Sequence, residues 1–351
     1  MIPILNEHYF RYYGRILKKD SIAYLGYTNS QTDFYVKGSA NDTCTVIAVI
    51  GTKLNGEVND ARLRVYLDDV LITREPIVLD QELNTYTLVT IKDNLVHKVS
   101  LIKITEAAMS YAALHSIDVE NGELLPFPEK EDRRIKAEFI GDSITCGYGV
   151  HGKPESEYHI REEDGMAAYS YLTAKELNLN ARYFSVSGYG VYCEYTGNTE
   201  NVVPRVYNYT NWWVDPDIKY DFSEFIPELI VINLGTNDSG HLCKKGIPEK
   251  FIASYTAYLK TLRSHYPEAK ILCICGTLCT EAFEYIQKAC DIVTADGMKD
   301  IYTMELPYHD VEHDGKASEH PSAVTHQKDA DRLVQKIKEI MPEVSSTNCI
   351  S

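Results

Sequence analysis

The chain has 351 residues, of which 44% are hydrophobic and 25% charged, and its formal net charge is −16 at pH 7. This composition is that of a folded globular protein, and the length favours two domains with separate cores. The negative charge would repel phosphate backbones and anionic lipids, so we expect neither a nucleic-acid nor a membrane partner. No apolar run approaches the roughly 20 residues that span a bilayer.

The first residues lack the basic segment and long apolar core of a secretory leader. Nine cysteines are scattered through apparent core strands, where a reduced thiol behaves as a small hydrophobe. We therefore expect a cytoplasmic protein. The sequence does not determine the oligomeric state, and a homo-oligomer is possible.

The first part of the chain predicts short strands separated by turns. The predicted strands cover residues 43–52, 63–67, 70–73, 86–91 and 96–104. The turn pairs between them include Asn55-Gly56, Asp68-Asp69 and Asp93-Asn94. No long segment of helical period interrupts this series. The pattern predicts an all-β jelly-roll sandwich over residues 1–128.

Two prolines and a charged run between residues 126 and 134 are typical of a domain edge. Strands predicted beyond it, at 137–140, 182–186, 229–234, 270–275 and near Ile301, alternate with helices predicted at 166–177, 249–265, 280–289 and 323–341. The run 229–234 is apolar on both faces, as a central parallel strand must be. Residues 129–343 therefore predict an α/β domain with a parallel sheet, and residues 344–351 a loose tail.

Four motifs follow strands of this predicted sheet. Ser143 lies in Gly-Asp-Ser-Ile after the first strand, and Gly188 lies in a glycine-containing loop after the second. Asn237 lies in Gly-Thr-Asn-Asp after the third strand, and His320 follows the fifth. Acyl transfer through a serine needs a hydroxyl nucleophile, an imidazole that carries its proton, and donors for the oxyanion. The four motifs supply each of these groups.

The motif order resembles that of the SGNH, or GDS(L)-type, hydrolases. The amino-acid sequences of the segments 139–149, 231–238 and 320–326 resemble those of the family 2 carbohydrate esterases. Members of that family carry a β-sandwich ahead of a three-layer, flavodoxin-like SGNH domain. The resemblance implies removal of acetyl groups from plant-cell-wall sugars, with acetylated xylan- or mannan-derived oligosaccharides as substrates and no metal or organic cofactor. Within the same reaction type, an SGNH lipase or thioesterase is the alternative; a non-catalytic carbohydrate-binding protein is another.

The resemblance implies a role for each matching residue. Ser143 would be the nucleophile and His320 the general acid and base. The oxyanion donors would be the backbone N–H of Ser143, the backbone N–H of Gly188 and the side-chain amide of Asn237, with Gly190 as the alternative to Gly188. Asp142 would brace the nucleophile turn by hydrogen bonds.

The Asp that usually precedes the catalytic His by two or three residues is absent, since Ser318 and Ala317 occupy those positions. A Ser-His dyad is therefore predicted, with the imidazole held by a backbone carbonyl or another group. Asp314 and Glu319 are the carboxylate alternatives. His326 is predicted to be structural.

Three further patterns have a functional and a structural interpretation. Four aromatic side chains could line a sugar site or belong to the core, and they are Tyr189, Tyr192, Trp212 and Trp213. His309 to His313 matches the His-x-x-Glu-His pattern of inverted zinc peptidases, but a proline and a glycine flank it, so we expect a loop. The insertion 146–165 is expected to form the rim of the site, with its acidic stretch 155–164 as a solvated surface.

Overall fold

The computed structural model describes residues 2–54, 60–129, 132–154 and 159–345. By compactness the chain divides into two units, one of residues 1–131 with 159–161, the other of residues 132–158 with 162–351. The predicted turn at Asn55-Gly56 lies outside the described residues. No helix in the described ranges is long and apolar enough to cross a membrane.

The first unit is all-β. Its strands are β1 (Arg11–Tyr13), β2 (Ile16–Lys19), β3 (Ile22–Leu25), β4 (Gln31–Lys37), β5 (Cys44–Gly51), β6 (Arg62–Leu67), β7 (Val70–Leu71), β8 (Ile77–Val78), β9 (Leu83–Ile91), β10 (Val96–Lys103), β11 (Ala112–Glu120) and β12 (Glu123–Leu125). One antiparallel sheet has the order β1-β4-β10-β6-β7, with β12 paired to β4 and β8 to β6. The other has the order β2-β3-β11-β5-β9.

Alternating burial explains why these segments form a sandwich. In β5 the side chains of Cys44, Val46 and Ala48 are buried while those between them are partly exposed, as the period of two in a strand requires. Val46 shares one apolar core with Phe34 and Val36 of the opposite sheet. Burial of these two inner faces is what holds the sheets together, so the predicted all-β class is confirmed.

The strands predicted in this unit correspond to β5, β6, β7, β9 and β10. The prediction missed the other seven. Strand β4 shows the physical reason, because the polar residues Thr32 and Asp33 are both buried although they lie on opposite faces of the strand. Polar side chains at buried positions mask the alternation on which the strand prediction depends.

The second unit contains the α/β domain. Its elements are β13 (Lys136–Gly141), α1 (Ser143–Cys146), α2 (Tyr169–Glu176), β14 (Asn180–Ser185), α3 (Val203–Val206), β15 (Tyr209–Asn211), β16 (Asp215–Lys219), β17 (Leu229–Asn233), α4 (Thr236–Leu242), α5 (Ile247–His265), β18 (Lys270–Cys275), α6 (Phe283–Ala295), β19 (Ile301–Glu305), α7 (Val311–Asp314), β20 (Lys316–Ala317), β21 (His320–Pro321) and α8 (Ala323–Ile340). Short 3-10 turns cover Gly165–Ala167, Phe222–Glu224 and Pro342–Ser345, and a further one, Ile160–Glu162, begins in the residues assigned to the first unit.

Five parallel strands form the sheet of this unit, in the order β14-β13-β17-β18-β19. All five residues of β17 are buried, which explains its continuous apolar sequence. The predicted parallel α/β fold is confirmed. Because the carboxyl ends of parallel strands meet at one edge, the loops after β13, β14 and β17 approach each other there.

Helix α8 follows the apolar period of 3.6 residues, with Leu333, Val334 and Ile337 buried against the core of this unit. Its N-cap is Ser322, whose hydroxyl accepts a hydrogen bond from the Thr325 N–H at 3.4 Å. Beyond the helix, Val344 is fully buried in the same core. The structured chain therefore includes the start of the predicted tail, and residues 346–351 lie outside the described residues.

Candidate active site

The turn between β13 and α1 presents Ser143. The Asp142 carboxylate caps α1, accepting the Ile144 N–H at 3.0 Å. A side chain at Gly141 would place its Cβ 2.0 Å from the Thr145 hydroxyl oxygen, so only glycine fits this tight exit from the strand. Ser143, the first residue of the helix, is only 6% exposed. Local capping and the glycine thus position the serine at the sheet edge.

His320 contacts this serine directly. Its Nε2 lies 2.9 Å from the Ser143 Oγ, and its Nδ1 lies 3.1 Å from the backbone oxygen of Ser318. A carbonyl can only accept, so Nδ1 carries the proton and Nε2 is left to accept the Ser143 hydroxyl. Burial lowers the pKa of His320, which keeps the ring neutral near pH 7. A neutral imidazole bonded to a hydroxyl is the pairing that general-base catalysis requires.

Neither carboxylate proposed as an alternative partner is hydrogen-bonded to His320. The Asp314 carboxylate binds the Lys328 ammonium group at 2.6 and 2.8 Å. The Glu319 side chain is 75% exposed and pairs with Lys316 at 2.6 Å. The imidazole is held instead by a backbone carbonyl.

Asn237, one of the three predicted oxyanion donors, is tied to the nucleophile turn and to the loop after β14. Among the described residues, neither the N–H of Ser143 nor that of Gly188 donates to a backbone carbonyl. Gly188 has φ +80°, and a Cβ there would lie 3.1 Å from the ring of Tyr195. The amide of Asn237 donates to the Tyr189 carbonyl at 3.0 Å and to Asp142 at 3.2 Å. Asn237 is thereby fixed beside the nucleophile turn, and the oxyanion role of these donors stays a prediction.

The neighbouring carboxylate of Asp238 organises the loop after β14. It is fully buried and accepts the backbone N–H groups of residues 191, 192 and 193 at 2.8–2.9 Å. Gly190 packs against it so closely that a Cβ would lie 2.3 Å from Oδ2. Burial raises the pKa of Asp238 to about 6 and that of Asp142 to about 7. The loop that contains Gly188 is thus tied to the turn that contains Asn237.

Comparison with known proteins places this geometry in a family. Residues 139–297 match the GDSL-like lipase/acylhydrolase family, and residues 12–128 match the carbohydrate esterase 2 N-terminal domain. The structure of a family two carbohydrate esterase from Clostridium thermocellum, in complex with cellohexaose, has 28% sequence identity and a TM-score of 0.84. That superposition covers 94% of this chain and 98% of the other.

Both domains of the family are therefore present in one chain. The chain belongs to the family 2 carbohydrate esterases.

Curated relatives agree with this assignment. The cellulase/esterase CelE of Acetivibrio thermocellus is 32% identical over 270 residues, which is 75% of this chain and 32% of CelE. An acetylxylan esterase/glucomannan deacetylase of Cellvibrio japonicus is 26% identical over 235 residues, which is 66% of this chain and 64% of that protein. The chain thus spans about a third of the first relative and less than two thirds of the second.

In this family 2 carbohydrate esterase, the four aromatic side chains predicted for a sugar site pack on different partners. Trp213 packs against Tyr189 with ring centroids 6.2 Å apart, and Tyr189 is linked to the site through Asn237. Trp212 instead packs on Tyr209 at 4.6 Å. The Lys250 ammonium group lies over the ring of Tyr192, 5.9 Å from the ring centroid. The structure therefore joins Tyr189 and Trp213, and the sugar-binding role of all four stays a prediction.

Sequence reasoning did not single out two side chains that support His320. The ring of Tyr148 lies on the imidazole, with centroids 4.4 Å apart. The Glu162 carboxylate accepts a hydrogen bond from the Ser318 hydroxyl at 2.8 Å. Tyr148 lies in the same motif as Ser143, so its position in the sequence could have indicated the first contact. Glu162 and Ser318 are 156 positions apart, and no local pattern indicates the second contact.

The expectation that the acidic stretch 155–164 is a solvated surface is wrong for its last part. Glu162, Glu163 and Asp164 are 8%, 1% and 4% exposed. Asp164 caps the turn Gly165–Ala167 by accepting the Met166 N–H, so this end of the insertion is buried and does not face water. Residues 155–158 lie outside the described residues.

The remaining histidine predictions concern the end of the domain. His326 is fully buried, and its Nδ1 accepts the Tyr169 N–H at 3.1 Å. The segment from His309 to His313 contains one short helical turn, α7, and the His313 ring pairs with Asp310 at 2.8 Å. Within the described ranges no group of three or more His, Cys, Asp or Glu side chains could hold a metal ion. The inverted zinc peptidase pattern therefore lacks its site here.

Proposed function

We propose that this chain is a serine esterase that removes O-acetyl groups from xylan- or mannan-derived oligosaccharides. One observation carries the proposal: the Ser143 hydroxyl lies 2.9 Å from the Nε2 of a His320 ring whose Nδ1 is bound to a carbonyl. This is the arrangement of a nucleophile and its base.

In the proposed reaction Ser143 attacks the carbonyl carbon of the acetyl group while its proton passes to Nε2 of His320. The tetrahedral intermediate carries an oxyanion, which the N–H groups of Ser143 and Gly188 would stabilise. The Asn237 amide would join them by redirecting one of its two N–H groups from its present acceptor, Asp142 or Tyr189. The intermediate collapses with cleavage of the bond to the sugar oxygen, and His320 returns the proton to that oxygen. Water then attacks the acetyl-serine while His320 takes a proton from it, the bond between the acetyl carbon and the Ser143 Oγ breaks, and His320 returns the proton to Oγ as the acetate product leaves.

The Ser-His dyad is part of this proposal. A carbonyl fixes the tautomer and orientation of the imidazole, as the Asp of a triad does, but supplies a dipole in place of a full charge. The imidazolium formed during attack is therefore stabilised less than it would be beside a carboxylate.

The substrate class rests on the relatives. CelE is named as an esterase, the Cellvibrio japonicus relative as an acetylxylan esterase and glucomannan deacetylase, and the Clostridium thermocellum relative was solved with cellohexaose. The Cellvibrio japonicus name specifies acetylated saccharides, and we extend that substrate class to this chain. Tyr189 and Trp213 would contact its sugar ring, because aromatic faces pack on the apolar faces of sugars and this pair adjoins Asn237.

The first test compares wild type with Ser143→Ala on p-nitrophenyl acetate. We expect kcat to fall on the order of 10⁴-fold or more, since removal of a nucleophile abolishes the covalent route. Equal turnover by both proteins would contradict catalysis at this site and favour a carbohydrate-binding protein.

The second test concerns the substrate. Release of acetate from acetylated xylo- and manno-oligosaccharides, followed by NMR, identifies the sugar and the hydroxyl position. Activity that rises from acetyl to octanoyl esters would instead support a lipase or thioesterase. The cytoplasmic location and a homo-oligomeric state stay predictions, although the eight cysteines that the structure describes are free thiols.

A further inference from the structure

We propose that Glu162 is a positioning residue for His320, acting through the side chain of Ser318. The inference rests on the proposed function, since it concerns how the base of that reaction is oriented. It starts from the carbonyl of Ser318, which lies 3.1 Å from Nδ1 of His320 and replaces the missing Asp. Whatever fixes this carbonyl also fixes the base.

The carbonyl belongs to a strained turn. Ser318 and Glu319 form the two-residue connection between β20 and β21, in which Ala317 pairs with His320. Both connecting residues have positive φ, +47° and +61°. Positive φ at both connecting residues is the pattern of a type I′ hairpin turn, where Asn and Gly are preferred, and other residues are strained by about 1–3 kcal/mol each in such conformations. The turn therefore depends on contacts that hold Ser318.

Two hydrogen bonds supply those contacts. The Ser318 N–H donates to the Lys153 carbonyl at 3.2 Å, and the Ser318 hydroxyl donates to Oε2 of Glu162 at 2.8 Å. Ser318 is 7% exposed and Glu162 is 8% exposed, so water competes little for the hydroxyl–carboxylate bond. Hydrogen bonds to a charged group are stronger than neutral ones.

The surrounding chain is shaped for this contact. A Cβ on Gly152 would lie 2.5 Å from the Ser318 hydroxyl oxygen and 2.8 Å from Oε2 of Glu162. A Cβ on Gly149, whose φ is +64°, would lie 2.9 Å from the Cβ of Ser318. Two glycines thus admit the Ser318 side chain between the loop and the carboxylate. Glu162 is therefore connected to the imidazole of His320 by two hydrogen bonds, one to the hydroxyl of Ser318 and one from Nδ1 to its carbonyl.

The effect on the base is geometric. Glu162 is hydrogen-bonded to the Ser318 hydroxyl, and the Ser318 carbonyl is bonded to Nδ1, so the carboxylate acts on the ring through Ser318. Its role is to hold the carbonyl in line with Nδ1. Because a misplacement of about 1 Å at a catalytic group can cost about 100-fold in rate, loss of this anchor should lower kcat without weakening substrate binding.

The test uses Glu162→Ala, Glu162→Gln and Ser318→Ala, with Glu339→Ala as the matched control, an exposed carboxylate of α8 that pairs with Lys336. The steady-state rate on p-nitrophenyl acetate is measured for each protein. It is divided by the concentration of active sites, which is determined from the burst of p-nitrophenol released as the acetyl-enzyme forms. We expect Glu162→Ala and Ser318→Ala to lower kcat about 10- to 100-fold with KM unchanged. Glu162→Gln, which keeps an acceptor for the hydroxyl, should recover most of this loss. The Glu162→Ala/Ser318→Ala double variant should be no slower than either single variant, because both remove the same contact.

A kcat per active site equal to wild type in both alanine variants would overturn the inference and leave the esterase proposal intact. An inactive wild type would instead overturn the proposed function. Nitrogen-15 NMR of the His320 ring then still tests the anchor, because it reports the tautomer without turnover. We expect the Nδ1–H form in wild type and a mixture of tautomers in Ser318→Ala; the same tautomer in both would also refute the inference. If Glu162→Ala does not fold, Ser318→Ala alone tests the inference, because it removes the same hydrogen bond.

Discussion

Acidification should destabilise the catalytic domain through one buried histidine. His326 is fully buried in α8, and its Nδ1 accepts the backbone N–H of Tyr169 at 3.1 Å. A proton on Nδ1 would face that N–H and remove the acceptor. Burial accordingly lowers the pKa of His326 to about 3. The perturbation we consider is a change from pH 7 to pH 5.

In the unfolded chain the pKa of His326 returns to about 6.5. Between pH 6.5 and 3 the unfolded state binds a proton that the folded state excludes, so the folded state loses stability as the pH falls through this window. The stability that neutral His326 contributes is complete above pH 6.5. Binding a proton to the unfolded histidine at pH 5 lowers the free energy of unfolding by about 2 kcal/mol relative to pH 7.

The assay is urea unfolding of wild type and His326→Gln at both pH values. Glutamine keeps a hydrogen-bond acceptor but does not titrate. Between pH 7 and pH 5 the free energy of unfolding of wild type should therefore fall by about 2 kcal/mol more than that of the variant. Asp142 and Asp238 have raised pKa values and act with the opposite sign, but they are present in both proteins and cancel in the difference. The same change in unfolding free energy with pH in both proteins would refute the reasoning.

Two further predictions concern the turn after β17. Asn237→Ala should lower kcat on p-nitrophenyl acetate about 10²- to 10³-fold with little change in KM, because one oxyanion donor is lost; a change confined to KM would argue against that role. Asp238→Asn should lower the free energy of unfolding by about 2 kcal/mol, since an amide nitrogen cannot accept all three loop N–H groups and one buried donor loses its partner. Equal urea midpoints and m-values for Asp238→Asn and wild type would contradict this account.

The sequence was sufficient to predict the parts of the site that lie on local turns. Ser143 follows an apolar strand and a glycine, and His320 directly precedes the last helix, so pattern and spacing indicated both. The parallel sheet then accounts for the approach of Ser143 and Asn237, because both follow strands that end at the same edge. Local signals and a known sheet geometry were enough in these cases.

The groups around the base could not be predicted in the same way. Every residue has a carbonyl, so the sequence could suggest a backbone partner for His320 but not that Ser318 supplies it. Glu162 reaches Ser318 from an acidic stretch whose composition indicated a solvated loop, and no spacing relates the two residues. Trp212 and Trp213 are adjacent in the sequence, yet they pack on different partners because they lie in a turn. Such contacts depend on tertiary packing.

The carbonyl partner has a consequence for the pH range of the proposed reaction. A carboxylate beside Nδ1 would raise the pKa of His320 and favour the protonated ring, which cannot act as a base. A carbonyl raises it less, and burial of the ring lowers it. His320 therefore stays neutral to lower pH than a histidine paired with Asp, while the imidazolium formed during attack receives less stabilisation. Precise orientation must then supply more of the rate, and this is why the strained turn at Ser318 and its anchor on Glu162 matter in an enzyme without the usual Asp.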